Sequence, residues 1–107
     1  MYYVYILRCE GDRLYTGITT DVQRRFAEHS GQNGRGAKFT RSHKVQSVAA
    51  VWSTADRSLA SKLEYRIKAL SRQKKLELIE NDDVFARFFG DEMAALYMRE
   101  NVEDICD

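Results

Sequence analysis

Two polar residues, Arg25 and His29, stand where a short helix should be apolar. The segment LYTGITTDVQRRFAEH, residues 14–29, predicts a β-strand followed by a helix. At 100° per residue, Val22, Arg25, Phe26 and His29 share about a quarter turn of that helix, on the face that must pack. A buried guanidinium without a partner is costly, so we expect Arg25 to line a cleft or to pair with an acid.

Glu64 is another polar residue close to a packed face, on a later helix. It lies about 100° from Leu63 and is flanked by Ala60 and Ile67, at the margin of an apolar stripe rather than on the solvent face. A carboxylate in that place can bind a metal ion, or it can pair with Arg25 or Lys68. Periodicity alone favours the ion pair.

Two tyrosines are predicted to stand side by side on a hairpin. Strand alternation places Tyr5 on one face of the first strand, and it places Tyr15 and Gly17 together on one face of the second. If the two faces coincide, two phenols are neighbours. Gly17 then leaves the surface between them open, as the close approach of a ligand backbone would require. Tyrosine is also an ordinary strand residue, so the pair alone does not establish a site.

Residues 30–44, SGQNGRGAKFTRSHK, predict a glycine-rich loop suited to a phosphate backbone. The loop holds four basic residues, and the chain has no Asp or Glu from His29 through Ala55. An aromatic side chain in the loop can stack on a base. We therefore predict that the loop contacts nucleic acid through Arg35, Lys38, Phe39, Thr40, Arg41 and Lys44. A surface loop without any partner is the alternative.

A small set of strands and helices must position these residues. Tyr2–Arg8 and Arg13–Thr19 predict an antiparallel hairpin that turns at Gly11 and Asp12, and 46–53 predicts a third strand. Thr20 or Asp21 can cap the first helix. Residues 56–80 predict a long helix with a possible break at Ser71, and 81–100 predict one or two helices divided at Gly90.

Charge is distributed unevenly along the 107 residues. Residues 1–80 hold 15 Lys and Arg against 8 Asp and Glu, a net charge of +7, whereas residues 81–107 hold 2 against 8, a net charge of −6. A basic body is the electrostatic signature of a phosphate-rich partner, although solvated charged surfaces are common. We predict a domain over 1–80 and an acidic helical extension over 81–107.

Composition excludes several classes of protein. Apolar residues make up 44% of the chain and charged residues 31%, which is typical of a soluble globular domain. The longest apolar run is too short to span a bilayer, and the amino end lacks a signal-peptide pattern. Cys9 and Cys106 have no metal-binding spacing, and we expect both to be reduced. These features predict a cytoplasmic protein without a membrane partner.

The separate motifs together resemble the GIY-YIG nuclease superfamily. The resemblance covers residues 1 to about 80 and is closest to small stand-alone bacterial members, through the motifs YVYIL, LYTGIT, R before FAEH, GAKFT and LEYRIKALS. It implies an α+β fold in which a three-stranded antiparallel sheet is flanked by helices. It also implies a metal-dependent endonuclease that acts on nucleic acid, with DNA favoured over RNA. The oligomeric state, a monomer or a weak homodimer, stays open.

The resemblance assigns roles by position. Tyr5 and Tyr15 are the motif tyrosines, Arg25 is the phosphate-facing arginine, His29 lies near the tyrosines, and Glu64 is the ligand of a single Mg²⁺ or Mn²⁺. A phenol with a pKa near ~10 is a poor base at neutral pH. Either tyrosine would need help from the metal, from Arg25, or from a proton relay through His29.

The sequence also departs from the family pattern. Tyr3 replaces the glycine of the family name, Ile18 follows Gly17 where several DNA-repair members have lysine, and an asparagine expected after Glu64 is missing. These departures bear on catalytic rate more than on fold. Two alternatives therefore stay open: a nucleic-acid-binding module with little or no catalysis, and a protein-interaction domain whose basic body docks an acidic partner.

Overall fold

The computed structural model describes residues 1–29 and 44–105, which form an α+β fold. Its centre is an antiparallel sheet of four strands in the order β2-β1-β3-β4. The α+β class is confirmed, and the predicted count of three strands is wrong. The strands are β1 (Tyr2–Cys9), β2 (Arg13–Thr19), β3 (Val45–Thr54) and β4 (Tyr97–Glu100).

The β1–β2 turn forms where the sequence predicts it. Gly11 and Asp12 both have positive φ, at 75° and 60°. Two consecutive positive φ values are the signature of the tight turns that match the twist of a hairpin, and Gly and Asp tolerate them best. The turn sets a register in which Tyr5 pairs with Gly17 and Leu7 pairs with Tyr15.

Side-chain caps fix where the longer helices begin. The Arg24 N–H donates to Asp21 Oδ1 at 3.1 Å, ahead of the first helix. Asp56 accepts from the Leu59 N–H, and Ser71 accepts from the Lys74 N–H, so the predicted break at Ser71 is confirmed. The helices are α1 (Val22–His29), α2 (Arg57–Lys68), α3 (Arg72–Glu80), α4 (Asp83–Phe89), α5 (Asp91–Ala94) and α6 (Val102–Ile105).

The sheet is covered on both faces, because alternate residues of β1 belong to different apolar clusters. Val4 and Ile6 pack with the α2 residues Leu63 and Ile67 and with residues of α3, α4 and α5. On the other face, Tyr5, Leu7 and Cys9 pack with Val22 and Phe26 of α1 and with Val45 and Val51 of β3. Helices α1 and α2 therefore lie on opposite faces of the sheet.

Strand β4 occupies a segment for which the sequence predicts a helix. It pairs with the outer edge of β3, where Val51 lies opposite Glu100 and Thr54 lies opposite Tyr97. Polar contacts reinforce this pairing, because Ser53 Oγ donates to Glu100 Oε2 at 2.7 Å. The segment is short and holds good helix formers, so its strand conformation comes from the sheet edge and not from propensity.

Aromatic packing joins the segment after residue 80 to the sheet. The Phe85 ring centroid lies 6.1 Å from that of Trp52 and 5.7 Å from that of Tyr97. Arg99 lies over Trp52, with its guanidinium carbon 5.1 Å from the ring centroid, and forms an ion pair with Asp82. The predicted extension is thus only partly helical, and the division of the chain near residue 80 stays a prediction. Within the described ranges, no helix is both long enough and apolar enough to cross a membrane.

Candidate active site

Tyr5 lies across Gly17 of the neighbouring strand. The two residues are direct partners in the β1–β2 ladder, and the Tyr5 side chain is buried. A Cβ atom built on Gly17 would lie 2.7 Å from Cζ of Tyr5 and closer still to the hydroxyl oxygen. The phenol therefore fills the space that sequence reasoning left open for a ligand backbone. A contact between Gly17 and nucleic acid stays a prediction.

Tyr15 stands beside Tyr5 on the same face of the sheet. It pairs with Leu7, two residues along β1, so the two tyrosines are diagonal neighbours. Their ring centroids are 6.3 Å apart, and the ring planes are tilted by 40°. Tyr15 is only partly buried. The structure thus places the two phenols next to each other, as strand alternation requires once the register is known.

Arg25 reaches Tyr5 from helix α1. Its guanidinium donates a hydrogen bond to the Tyr5 side chain and forms an ion pair with Glu28, 2.9 Å from Nη1 to Oε1. Burial alone would lower the pKa of Arg25, but the bonds to Glu28 and Tyr5 outweigh it and raise the pKa. Arg25 therefore stays charged beside Tyr5, and its ion pair with Glu28 matches one of the two alternatives that the sequence left open.

Tyr5 keeps its proton in this environment. Burial raises the pKa of its phenol well above the usual value, and the neighbouring Tyr15 adds to the rise. The hydrogen bond and the charge of Arg25 act in the opposite direction without overcoming the effect of burial. In the free protein Tyr5 is thus a neutral hydrogen-bonding group rather than a base.

Glu64 influences the same tyrosine from helix α2, which packs on the other face of the sheet. It lies on α2 beside the buried Leu63, and its side chain is 25% exposed. Its Oε2 atom is 3.3 Å from Lys68 Nζ, one of the pairings predicted from the sequence. After burial and the larger influences of Tyr15 and Arg25, the charge of Glu64 also contributes to raising the pKa of Tyr5. The carboxylate is therefore within electrostatic range of the tyrosine pair.

The donor set suits one weakly held, hydrated cation. Across residues 1–29 and 44–105, no group of three or more His, Cys, Asp or Glu side chains is placed to hold a metal. Glu64 is therefore not part of a cluster of three or more such side chains in this part of the chain. Mg²⁺ commonly binds through one or two carboxylates, several waters and the phosphate of a substrate. The residues present fit such an ion and do not form an all-protein cage.

Most of the predicted nucleic-acid contacts lie outside the described residues. These are Arg35, Lys38, Phe39, Thr40 and Arg41 of the basic loop. His29 is the last residue of α1, one helical turn after Arg25. Lys44 is exposed, and its backbone bonds Glu10 at the far end of β1, about 16 Å along the strand from Tyr5. The structure does not bring the backbone of Lys44 to the tyrosine pair.

Sequence reasoning missed Glu28, although the signal was present. Glu28 follows Arg25 by three residues, and residues three apart are neighbours on a helix surface. Only 13% of its side chain is exposed, so the pair lies at the edge of the core. Glu28 therefore holds Arg25 in place beside Tyr5.

The comparisons with known proteins agree on one family. Residues 1–77 match the model of the GIY-YIG catalytic domain. The chain is 44% identical to a UPF0213 protein of Enterobacter sp. (strain 638) over 88 residues, which are 82% of this chain and 84% of the relative. It is 42% identical to the UPF0213 protein YhbQ of Escherichia coli O1:K1 / APEC, over 83% of this chain and 87% of the relative.

A solved structure is also similar to the chain. The solution NMR structure of the UPF0213 protein BH0048 from Bacillus halodurans is 35% identical in sequence, with a TM-score of 0.42. The match covers 89% of this chain and 94% of that chain. The chain therefore spans most of the length of these relatives.

Proposed function

Because this chain belongs to the GIY-YIG family, we propose that it is a metal-dependent endonuclease that hydrolyses phosphodiester bonds in DNA. The observation that carries the proposal is that Tyr5, which accepts a hydrogen bond from Arg25 of α1, also lies within the electrostatic influence of Glu64 of α2. A fixed cation, a carboxylate and a phenol are the groups that phosphodiester hydrolysis needs for charge neutralisation, metal binding and hydrogen bonding.

Arg25 binds the scissile phosphate in this proposal. Its planar fork carries five N–H donors and remains charged, so it can bond two non-bridging oxygens at once. Its bonds to Tyr5 and Glu28 hold it in place before substrate arrives. A donor that is already oriented needs little reorganisation when negative charge develops at phosphorus.

Tyr5 orients the attacking water and does not take a proton from it. Its raised pKa keeps the proton on the hydroxyl oxygen, where it can be donated to a phosphate oxygen or to a water. The proton of the attacking water must then pass to another group. We assign it to His29, because histidine is the side chain most often used to exchange protons near neutral pH.

Glu64 is the protein ligand for the ion. A bound Mg²⁺ or Mn²⁺ would supply Lewis-acid stabilisation of the leaving oxygen. Lys68 must release the Glu64 carboxylate for that role, and exposed ion pairs at this spacing are weak, about 0.3–0.5 kcal/mol. The pair with Lys68 is therefore compatible with metal binding.

The proposed partner is nucleic acid, with DNA ahead of RNA, and the proposed compartment is the cytoplasm. The net charge of +7 over residues 1–80 supports a phosphate-rich partner. Strand type and sequence preference are left to experiment.

The test is a cleavage panel of labelled single-stranded, duplex and branched DNA and matching RNA, with Mg²⁺, Mn²⁺ or EDTA. The parent is compared with Glu64→Gln, which keeps the size of the side chain and removes its charge. We expect metal-dependent cutting by the parent and at least a 100-fold loss in the variant. Binding without cutting would instead favour the nucleic-acid-binding module. Equal cutting by both proteins would contradict the assignment of Glu64.

A further inference from the structure

A basic hollow lies at the opposite end of β2 from Gly17. Its volume is about 190 Å³, and Arg13, Leu14, Arg72 and Lys75 line it. Arg13 and Leu14 begin β2, whereas Arg72 and Lys75 belong to the first turns of α3. Two elements that are distant in sequence therefore bring three cations around one concave surface.

The charge of this hollow is only partly compensated. Arg72 forms an ion pair with Asp12, 2.9 Å from Nη2 to Oδ2. Asp12 is 85% exposed in that pair and Arg72 is 45% exposed. Because water screens such a pair, it contributes little and a competing anion can displace it. Three cations against one exposed carboxylate leave a local excess of positive charge, which suits a phosphate group.

The hollow lies beside the same strand as the candidate active site but toward the other face of the sheet, because Leu14 and residues of α3 pack with Val4 and Ile6 whereas Tyr5 belongs to the opposite cluster. Arg13 and Leu14 precede Gly17 by four and three residues, so they lie about 10 to 13 Å from it along β2. A nucleic-acid backbone that contacts both places must therefore pass round the edge of the sheet at β2. Among the described residues, β2 is an edge strand with β1 as its neighbour in the sheet.

We propose that this hollow is a second phosphate-binding subsite, which holds the substrate backbone at a point away from the scissile phosphate. The inference rests on the proposed function, because Arg25 and Tyr5 define where the scissile phosphate lies. The subsite anchors the nucleic acid at the edge strand β2 and thereby sets which bond reaches Arg25. Two contacts to the backbone of one nucleic-acid strand fix both the position and the direction of that strand, which a single phosphate contact cannot do.

Arg13→Gln/Lys75→Gln is the variant that tests the subsite, since it removes two charges and leaves the Arg72–Asp12 pair intact. The matched control is Lys62→Gln/Arg87→Gln, which removes two exposed charges that do not line the hollow. Binding of fluorescent 20-nucleotide single-stranded and 20-base-pair duplex DNA is measured by anisotropy in EDTA over a range of KCl concentrations. Cleavage by the parent and by Glu64→Gln is measured separately with Mg²⁺.

We expect the hollow variant to flatten the plot of log affinity against log salt by up to about 1.8 on duplex, or about 1.4 on a single strand. The control should stay within about 0.3 of the parent slope. Equal slopes for the two double variants would overturn the subsite and leave the nuclease proposal intact. A parent that binds through the hollow but never cuts would support the subsite and overturn the nuclease. A parent that binds neither probe would overturn both.

Discussion

The phenol ring of Tyr5 occupies the space that a side chain at position 17 would need. The two residues are cross-strand partners in β1 and β2, and the ring can lie against the neighbouring backbone because glycine has no side chain there. This contact directs the Tyr5 hydroxyl to where Arg25 can bond it. The glycine is therefore a positioning residue for the tyrosine, whatever its contact with substrate.

Gly17→Ala should displace Tyr5 and destabilise the fold. A Cβ atom 2.7 Å from Cζ cannot be accommodated, so either the ring or strand β2 must move. Overpacking of this kind costs about 1–3 kcal/mol of unfolding free energy. We expect that loss in chemical denaturation, together with at least a tenfold loss of cleavage.

The control for this prediction is the double variant Gly17→Ala/Tyr5→Leu. If the ring is the obstacle, the two substitutions should be strongly non-additive, and the added methyl group should cost less when leucine replaces the ring. Strictly additive free energies, or a Gly17→Ala protein as stable as the parent, would show that the Tyr5 ring does not clash with a Cβ atom at position 17.

Tyr5→Phe should change how stability depends on alkaline pH. The pKa of Tyr5 is raised in the folded state, chiefly by burial, above its unfolded value near ~10. Its contribution is fully present below pH ~10 and is lost as pH rises toward the folded pKa, at up to about 1.4 kcal/mol per pH unit. The parent should therefore lose unfolding free energy more steeply above pH ~10 than Tyr5→Phe.

Tyr65→Phe is the matched control for that pH dependence. Tyr65 is 74% exposed on α2, so removing its hydroxyl should leave the alkaline slope of the parent unchanged. Tyr97, whose pKa is raised by burial, is present in all three proteins, so its contribution cancels. Parallel curves for the parent and Tyr5→Phe would contradict the raised pKa.

Much of the fold could be predicted from local signals, because those signals act within a few residues. The β-branched and aromatic runs predicted β1, β2 and β3, and Ser71 marked the start of α3. Strand β4 could not be predicted in this way. Its four residues pair with an edge of β3 that only exists once the sheet has formed.

The candidate site likewise has features that local sequence signals predict and features that depend on tertiary structure. Strand alternation predicted the Tyr5–Tyr15 neighbourhood, and helical spacing placed Arg25 on a packed face. The contact of Tyr5 with Gly17 depends on the hairpin register, which follows from the geometry of the turn. Glu64 belongs to α2, which packs on the face of the sheet opposite α1. This arrangement is a result of tertiary packing, and helical periodicity alone does not predict it.

Arg25→Ala should remove most activity at a modest cost in stability. The substitution loses a partly exposed ion pair with Glu28 and a hydrogen bond to Tyr5. These are worth about 0.5 and about 1 kcal/mol, so we expect a loss of about 1–2 kcal/mol in a denaturant titration. Cleavage should fall at least 100-fold, because the phosphate loses its charged fork.

Two further variants separate positioning from charge at Arg25. Arg25→Lys keeps the charge but not the planar fork, and should remain at least tenfold impaired in cleavage. Glu28→Gln removes only the ion pair, and should retain most activity with a loss of less than about 1 kcal/mol. A Glu28→Gln protein as inactive as Arg25→Ala would show that Arg25 acts only when the Glu28 carboxylate holds it in place.

Lys68→Gln should lower the concentration of Mg²⁺ needed for half-maximal cleavage. Lys68 pairs with Glu64 at 3.3 Å and so competes with a cation for the carboxylate. Removing this competitor should lower that concentration by about twofold, since exposed pairs at this spacing are worth about 0.3–0.5 kcal/mol. A cleavage titration with Mg²⁺ measures the change, and Lys62→Gln on the outer face of α2 is the control. A higher requirement in Lys68→Gln would mean that Lys68 assists metal or substrate binding.

The segment after residue 80 is expected to stabilise the fold and not to restrain nucleic-acid binding. A segment of charge −6 tethered to a body of charge +7 could compete with a phosphate backbone at high effective concentration. Two of its acids are already engaged, however, since Asp82 pairs with Arg99 and Glu100 accepts from Ser53. Phe85 is only 7% exposed and packs against Trp52, so the segment completes the core.

Two truncations and one substitution distinguish stabilisation from restraint. Ending the chain after Glu80 removes β4 and Phe85, and should abolish the cooperative thermal transition; Phe85→Ala alone should cost about 3–5 kcal/mol. Ending it after Asn101 removes Glu103, Asp104 and Asp107 but keeps β4, so that protein should fold. At low salt it should bind DNA within about threefold of the full chain. Affinity at least tenfold tighter after that shorter truncation would show that the acidic end restrains binding, and a folded chain ending at Glu80 would show that the sheet does not need its fourth strand.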